Sequence, residues 1–177
     1  MSTLVAGADP RRSPRAPSEG EVADRLAILQ LEADYARTWD CRDGAGWAEL
    51  FTEDGAFELG GLGDDPSHRF EGRERLTRFC QKVSARQEGI HLLSPPSLSF
   101  DGDTAHGWVH FQYLDRNHET GARRHVVGVY AVTYARTGRG DWRMRLRREQ
   151  PVVIDDRFGD FPSPERMWAP DALDVTR

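Results

Sequence analysis

The spacing of apolar residues changes character partway along the chain. Up to about residue 86 the large apolar side chains return every three or four positions, and from Ile90 onward they alternate with polar ones. The first pattern belongs to helices and the second to half-buried strands. Ser18, with Glu19 and Glu21 just behind it, offers a capping oxygen and first-turn acids, so the first helix is predicted to start there. Val22, Leu26, Leu29, Ala33, Ala36 and Asp40 then recur at steps of four and three, which predicts a buried face ending at Asp40. Asp43-Gly44 and Gly46 break this helix, residues 47–51 form a short second one, and residues 56–59 read as a short strand after Asp54-Gly55. The glycine-rich stretch 60–67 reads as a loop able to cover a pocket, and residues 72–86 predict a third helix with Leu76, Phe79, Cys80 and Val83 on one face.

Strands are predicted at 91–100 (interrupted by Pro95-Pro96), 104–114, 125–135 and 142–154, joined by turn-forming segments such as Asp101-Gly102-Asp103. In the last strand Trp142, Met144 and Leu146 alternate with Arg143, Arg145 and Arg147, which predicts one apolar and one cationic face. Helices followed by a meander make an α+β chain. Residues 1–18, with three prolines and few large apolar side chains, read as a disordered arm before a single domain over 19–157. Residues 158–177 read as a tail whose Phe158, Phe161, Met167 and Trp168 either close over the pocket or pin the tail elsewhere.

Composition narrows the function. At 177 residues one domain buries a sufficient core without disulfides or a metal. Its 24 basic and 29 acidic residues give a formal charge of −5, and no basic stripe is present, so nucleic acid is not an expected partner. No apolar run reaches membrane-spanning length and no secretory segment opens the sequence, so no membrane partner and a cytoplasmic location are expected. Cys41 and Cys80 show neither paired nor ligand spacing. With no phosphate loop and no dinucleotide motif, no cofactor and no metal are expected.

Four segments carry a resemblance: Tyr35-Ala36-Arg37-Thr38-Trp39-Asp40, the stretch from Trp47 to Gly55, Phe70-Glu71-Gly72-Arg73, and Ile90-His91-Leu92-Leu93-Ser94. Over about residues 21–157 the chain resembles the NTF2-like superfamily, in its SnoaL-like and scytalone-dehydratase-like branch. The resemblance implies a cone, in which a curved, mostly antiparallel sheet and about three helices enclose one pocket for a small hydrophobic molecule. It leaves the reaction open, because that superfamily hosts dehydratases, isomerases, epoxide hydrolases, polyketide cyclases, dioxygenase β subunits and non-catalytic modules.

Within this frame Asp40 either points into the cone as an acid/base group or caps its helix and pairs with an arginine. The resemblance places His91 where related dehydratases keep a histidine beside the aspartate, and implies a second histidine near Val109–His110. His106, Trp108, His110 and Gln112 share one face of their strand, opposite Val109, Phe111 and Tyr113, and a slip of one residue decides which face lines the cone. His110 is therefore a catalytic candidate beside Asp40 and His91, while Trp108, Tyr35, Trp39 and Tyr130 are candidates for holding substrate. Where related dehydratases carry two water-holding tyrosines this chain has Trp39 and Leu59. The expectation is a cofactor-independent dehydratase, isomerase or cyclase for a polyketide- or aromatic-type intermediate, forming a homo-oligomer through its sheet. The alternative is a non-catalytic partner such as a ring-hydroxylating dioxygenase β subunit, which needs a filled cone, or a ligand-binding module.

Overall fold

The computed structural model describes residues 16–60 and 68–155. Most of the arm 1–18, most of the loop 60–67 and all of the tail 158–177 lie outside the described residues. The elements run α1 (Glu19–Asp40), α2 (Gly44–Glu49), β1 (Phe51–Leu59), β2 (His68–Glu71), α3 (Arg73–Ser84), β3 (Gln87–Leu93), β4 (Ser97–Asp101), β5 (Thr104–Asn117), β6 (Arg123–Arg136) and β7 (Trp142–Asp155). The strands form one sheet in the order β2-β1-β7-β6-β5-β3, with β4 paired to the other half of β5. All pairs are antiparallel except β1 with β7. Pro95-Pro96 splits what would be one edge strand into β3 and β4, since proline cannot donate to the ladder. Among the described residues no helix is long and apolar enough to cross a membrane.

The α1 start is as expected: Ser18 Oγ accepts from the Glu21 backbone, and the Glu21 carboxylate accepts from the Ser18 backbone. Its buried face is not. Ile28, Leu31, Glu32, Tyr35, Thr38 and Trp39 face the core, while Val22, Leu26 and Leu29 are exposed. The apolar stripe read from the sequence lies roughly a third of a turn away from the buried one. The reason is Glu32, a charged residue at a core position, which breaks the apolar periodicity of the true inner face. A boundary also moves and a strand is added. Phe51 belongs to β1, which starts earlier than expected and carries an irregularity between Phe51 and Ala56. The strand β2, only four residues without clear alternation, was not expected at all.

The strand β7 departs from its simple alternation. Trp142 and Met144 face inward as predicted, but opposite β6 Met144 pairs with Tyr134 and Leu146 with Thr133, so Arg145 is an extra residue. Such a bulge reverses the phase of everything after it. Arg147, expected on a cationic outer face, is wholly buried instead. Its Nη1 donates to both Glu32 oxygens at 2.8 and 2.9 Å, and the Tyr134 hydroxyl donates to Glu32 Oε1 at 2.6 Å. Gly107 makes room for this tyrosine, because a Cβ there would stand 2.6 Å from its ring. The guanidinium also stacks on Tyr35 at 3.7 Å and on Tyr130 at 3.9 Å, an attraction between a cation and the electron-rich ring faces.

Breaking a buried pair by removing one partner strands the other charge out of water. Arg147→Met is therefore expected to lower the unfolding free energy by about 3–5 kcal/mol, measured by urea denaturation. The double variant Glu32→Leu/Arg147→Met, which leaves no lone charge, is expected to recover most of that loss.

Candidate active site

Between the concave face of the sheet and the helices α1 and α3 lies a cavity of about 300 Å³. Phe57, Phe79, Phe111 and Val126 contribute apolar wall, and Trp39 and Val83 extend it. Polar groups enter at few points: His91, the phenols of Tyr35, Tyr113 and Tyr130, Gln87 with Arg124, and Glu149. A mostly apolar pocket with few convergent polar groups is the usual form of a small-molecule site.

Asp40, the last residue of α1, stands behind His91 and holds it twice. Its Oδ2 accepts from the His91 backbone N–H at 3.0 Å and its Oδ1 lies 2.8 Å from His91 Nδ1. An ionised carboxylate only accepts, so Nδ1 carries the hydrogen and Nε2 is left with its lone pair. The Tyr130 hydroxyl is 3.4 Å from Nε2. Tyr113 stacks on the imidazole with ring centroids 4.3 Å apart, and its oxygen accepts from Trp39 Nε1 at 3.3 Å. The His91 side chain is almost wholly buried. Burial pulls its pKa below the ordinary imidazole value, against the opposing hydrogen bond and charge of Asp40. At neutral pH the ring is therefore neutral, basic at Nε2, and fixed in one tautomer.

The predicted residues divide cleanly. Asp40, His91, Tyr35, Trp39 and Tyr130 come together around the cavity. Trp108 and His110 do not: on β5 the inward face is Val109, Phe111 and Tyr113, and both residues are exposed on the other face. The register Val109↔Tyr130 sets this phase, since cross-strand partners share a face and Tyr130 is buried. In place of the tyrosines absent just before Asp40 and on β1, the cavity has Tyr35 of α1, Tyr113 of β5 and Tyr130 of β6. Glu149 escaped the sequence reading because the Arg145 bulge turns it inward, and nothing local in the sequence marks that extra residue.

The SnoaL-like domain model matches residues 20–148. The chain belongs to the SnoaL-like domain family. No curated protein matches it. Among solved structures, a protein of unknown function from Mycobacterium tuberculosis is 26% identical with a TM-score of 0.66, the match covering 90% of this chain and 85% of that one. A putative scytalone dehydratase from Novosphingobium aromaticivorans is 18% identical with a TM-score of 0.69, over 79% of this chain and 91% of that one. A hexachlorocyclohexane dehydrochlorinase, LinA-type3 from Novosphingobium barchaimii, is 22% identical with a TM-score of 0.70, over 81% and 97%. At these identities the last two likenesses speak to the fold, which is NTF2-like.

The Asp40–His91 geometry has a spectroscopic consequence. Imidazole NMR is expected to show His91 protonated on Nδ1 and titrating below about 6.5, the ordinary value. In Asp40→Asn the midpoint falls further, because the charge that favours the imidazolium is gone. A midpoint above 6.5 in the unmodified protein would contradict the burial argument.

Proposed function

We propose that this protein is a cofactor-independent acid/base enzyme that withdraws a proton from carbon in a small hydrophobic molecule. The reaction is an elimination, isomerisation or cyclisation on a polyketide- or aromatic-type intermediate. One observation carries the reading: an imidazole held at Nδ1 by a carboxylate lines an aromatic-walled cavity, with its Nε2 3.4 Å from the Tyr130 hydroxyl. A base is useful when it is unprotonated at working pH and held against the reacting C–H. Asp40 supplies orientation and compensates the imidazolium that forms, while the Tyr130 hydroxyl offers a hydrogen bond to charge developing on substrate oxygen. Two neighbours carry the names scytalone dehydratase and hexachlorocyclohexane dehydrochlorinase, and loss of water or of hydrogen chloride agrees with this chemistry. A partner subunit without chemistry of its own has no use for a carboxylate-held imidazole in the wall of a cavity, so the β-subunit alternative is disfavoured. For the apolar positions on the outer sheet face, among them Leu92 and Trp108, a second copy of this chain is the partner we propose.

The reading is tested by proton exchange, which requires no knowledge of the leaving group. With small aryl ketones in D₂O, the protein is expected to accelerate loss of the α-proton, followed by ¹H NMR. His91→Ala and Asp40→Asn are each expected to lower that rate by about 10²-fold or more, the usual worth of a positioned acid/base. The asparagine acts by donating to Nδ1, which moves the hydrogen to Nε2 and removes the lone pair from the cavity. His110→Ala and Trp108→Ala, on the outer face, are expected to leave the rate unchanged. Unaltered exchange in His91→Ala would end the proposal.

The pH profile follows from the same geometry. A base must be unprotonated, and burial lowers the pKa of His91, so the acid limb of kcat/KM is expected below pH 6.5. A limb above that value would assign the base to another group.

A further inference from the structure

The cavity holds a second titratable group that the base mechanism does not use. Glu149 sits on β7, in register with Tyr130 of β6 and with Leu59 of β1, and lines the same cavity as His91. Cross-strand partners put their side chains side by side, about 5 Å apart at Cβ. Tyr130 therefore stands between the two groups, its hydroxyl 3.4 Å from His91 Nε2 and its strand position beside Glu149. Among the described residues the Glu149 carboxyl makes no ion pair and no side-chain hydrogen bond, although cations are near. From β6, Arg124 is committed to Asp115 of β5, at 3.0 and 2.8 Å, and reaches Gln87 of β3. Arg147, on β7 itself, is committed to Glu32 of α1. The other neighbours are neutral: Tyr35 from α1, His91 from β3, and Phe57 and Leu59 from β1.

We infer that Glu149 is the general acid of this cavity, giving its proton to a departing oxygen while His91 takes one from carbon, so that the substrates carry a hydroxyl group β to an acidic C–H. The inference rests on the base role proposed for His91. In the step the C–H bond breaks, its proton goes to His91 Nε2 and its electron pair forms the C=C bond. The C–O bond breaks, and the oxygen keeps that pair and takes the Glu149 proton. The products are an alkene and water; His91 ends one proton richer and Glu149 one poorer, and exchange with solvent restores both. Hydroxide leaves poorly without this proton and chloride needs none, so the acid marks a dehydrating site and is idle in a dehydrochlorinating one.

Burial of an uncompensated carboxyl agrees with the assignment: it pushes Glu149 up to about 7, with the charges of Arg124 and Arg147 opposing. An acid must be protonated to act and a base must not be. A His91 below its ordinary value and a Glu149 near 7 are in their working forms together in weakly acidic to neutral solution.

Two ketones that give the same enone decide the matter: 3-hydroxy-1-phenylpropan-1-one, which must lose water, and its 3-chloro analogue, which loses chloride. Glu149→Gln is expected to slow elimination of the hydroxy ketone by about 10²-fold, and to leave the chloro ketone within about threefold. With the hydroxy ketone the unmodified protein is expected to lose activity above about pH 7, and the variant to lack that descending limb. Equal losses on both ketones overturn the general acid, as does turnover of the chloro ketone alone by the unmodified protein; the latter leaves the His91 base standing. Failure of the unmodified protein on both overturns the base reading and this one with it. Independently of turnover, ¹³C NMR of the Glu149 carboxyl is expected to show a midpoint near 7, and a midpoint in the ordinary range near 4.5 overturns the assignment.

Discussion

Arg147 has no contact with water, and much of the molecule is arranged so that its charge is never alone. Glu32 on α1 takes two hydrogen bonds from it, Tyr134 on β6 completes Glu32, and Tyr35 and Tyr130 present their ring faces to the guanidinium. Each group comes from a different part of the chain, so the pair fixes the rotation of α1 against the sheet. It also fixes the two phenols whose other sides line the cavity. The positions of these polar groups around the cavity are thereby tied to an ion pair that does not itself line it.

What the cavity offers is a separation of tasks by environment. His91 is buried with Nδ1 held by Asp40, and its other nitrogen meets the Tyr130 hydroxyl at the wall of a mostly apolar cavity. Hydrogen bonds and charges are felt more strongly there than in water. The contact of one carboxylate with both the backbone and the ring of His91 makes the anchoring of β3 to the end of α1 and the orientation of the imidazole one and the same feature.

The order of elements was legible because turn residues and period changes are local signals, and α1, α3 and the long strands fall close to where they were read. The Asp40–His91 pair was legible through the resemblance around Trp39-Asp40 and Ile90-His91. Phase was the weak point. On α1 the exposed Val22, Leu26 and Leu29 form a better apolar stripe than the true core face, which contains Glu32. On β7 the Arg145 bulge turns Arg147 inward, and no local pattern announces an extra residue. On β5 both faces alternate equally well, and only the pairing with Tyr130 chooses between His110 and Phe111. In each case a partner distant in sequence made the decision.

The strand β7 carries a second register shift, between the partners Val127↔Val153 and Gly128↔Pro151, which leaves Val152 as the extra residue. Two extra residues restore the original parity, so β7 behaves like a message with paired frameshifts: the segment between them is read in the other frame. That segment holds Arg147 and Glu149, the structural cation and the cavity carboxyl. Drawing Arg145 into the ladder as an ordinary residue would exchange Arg147 and Glu149 for their outward neighbours, whereas deleting it would leave a regular strand with both still inward. In this family member, then, which side chains line the cavity is decided by where the strand carries its unpaired residues as much as by the order of the residues themselves.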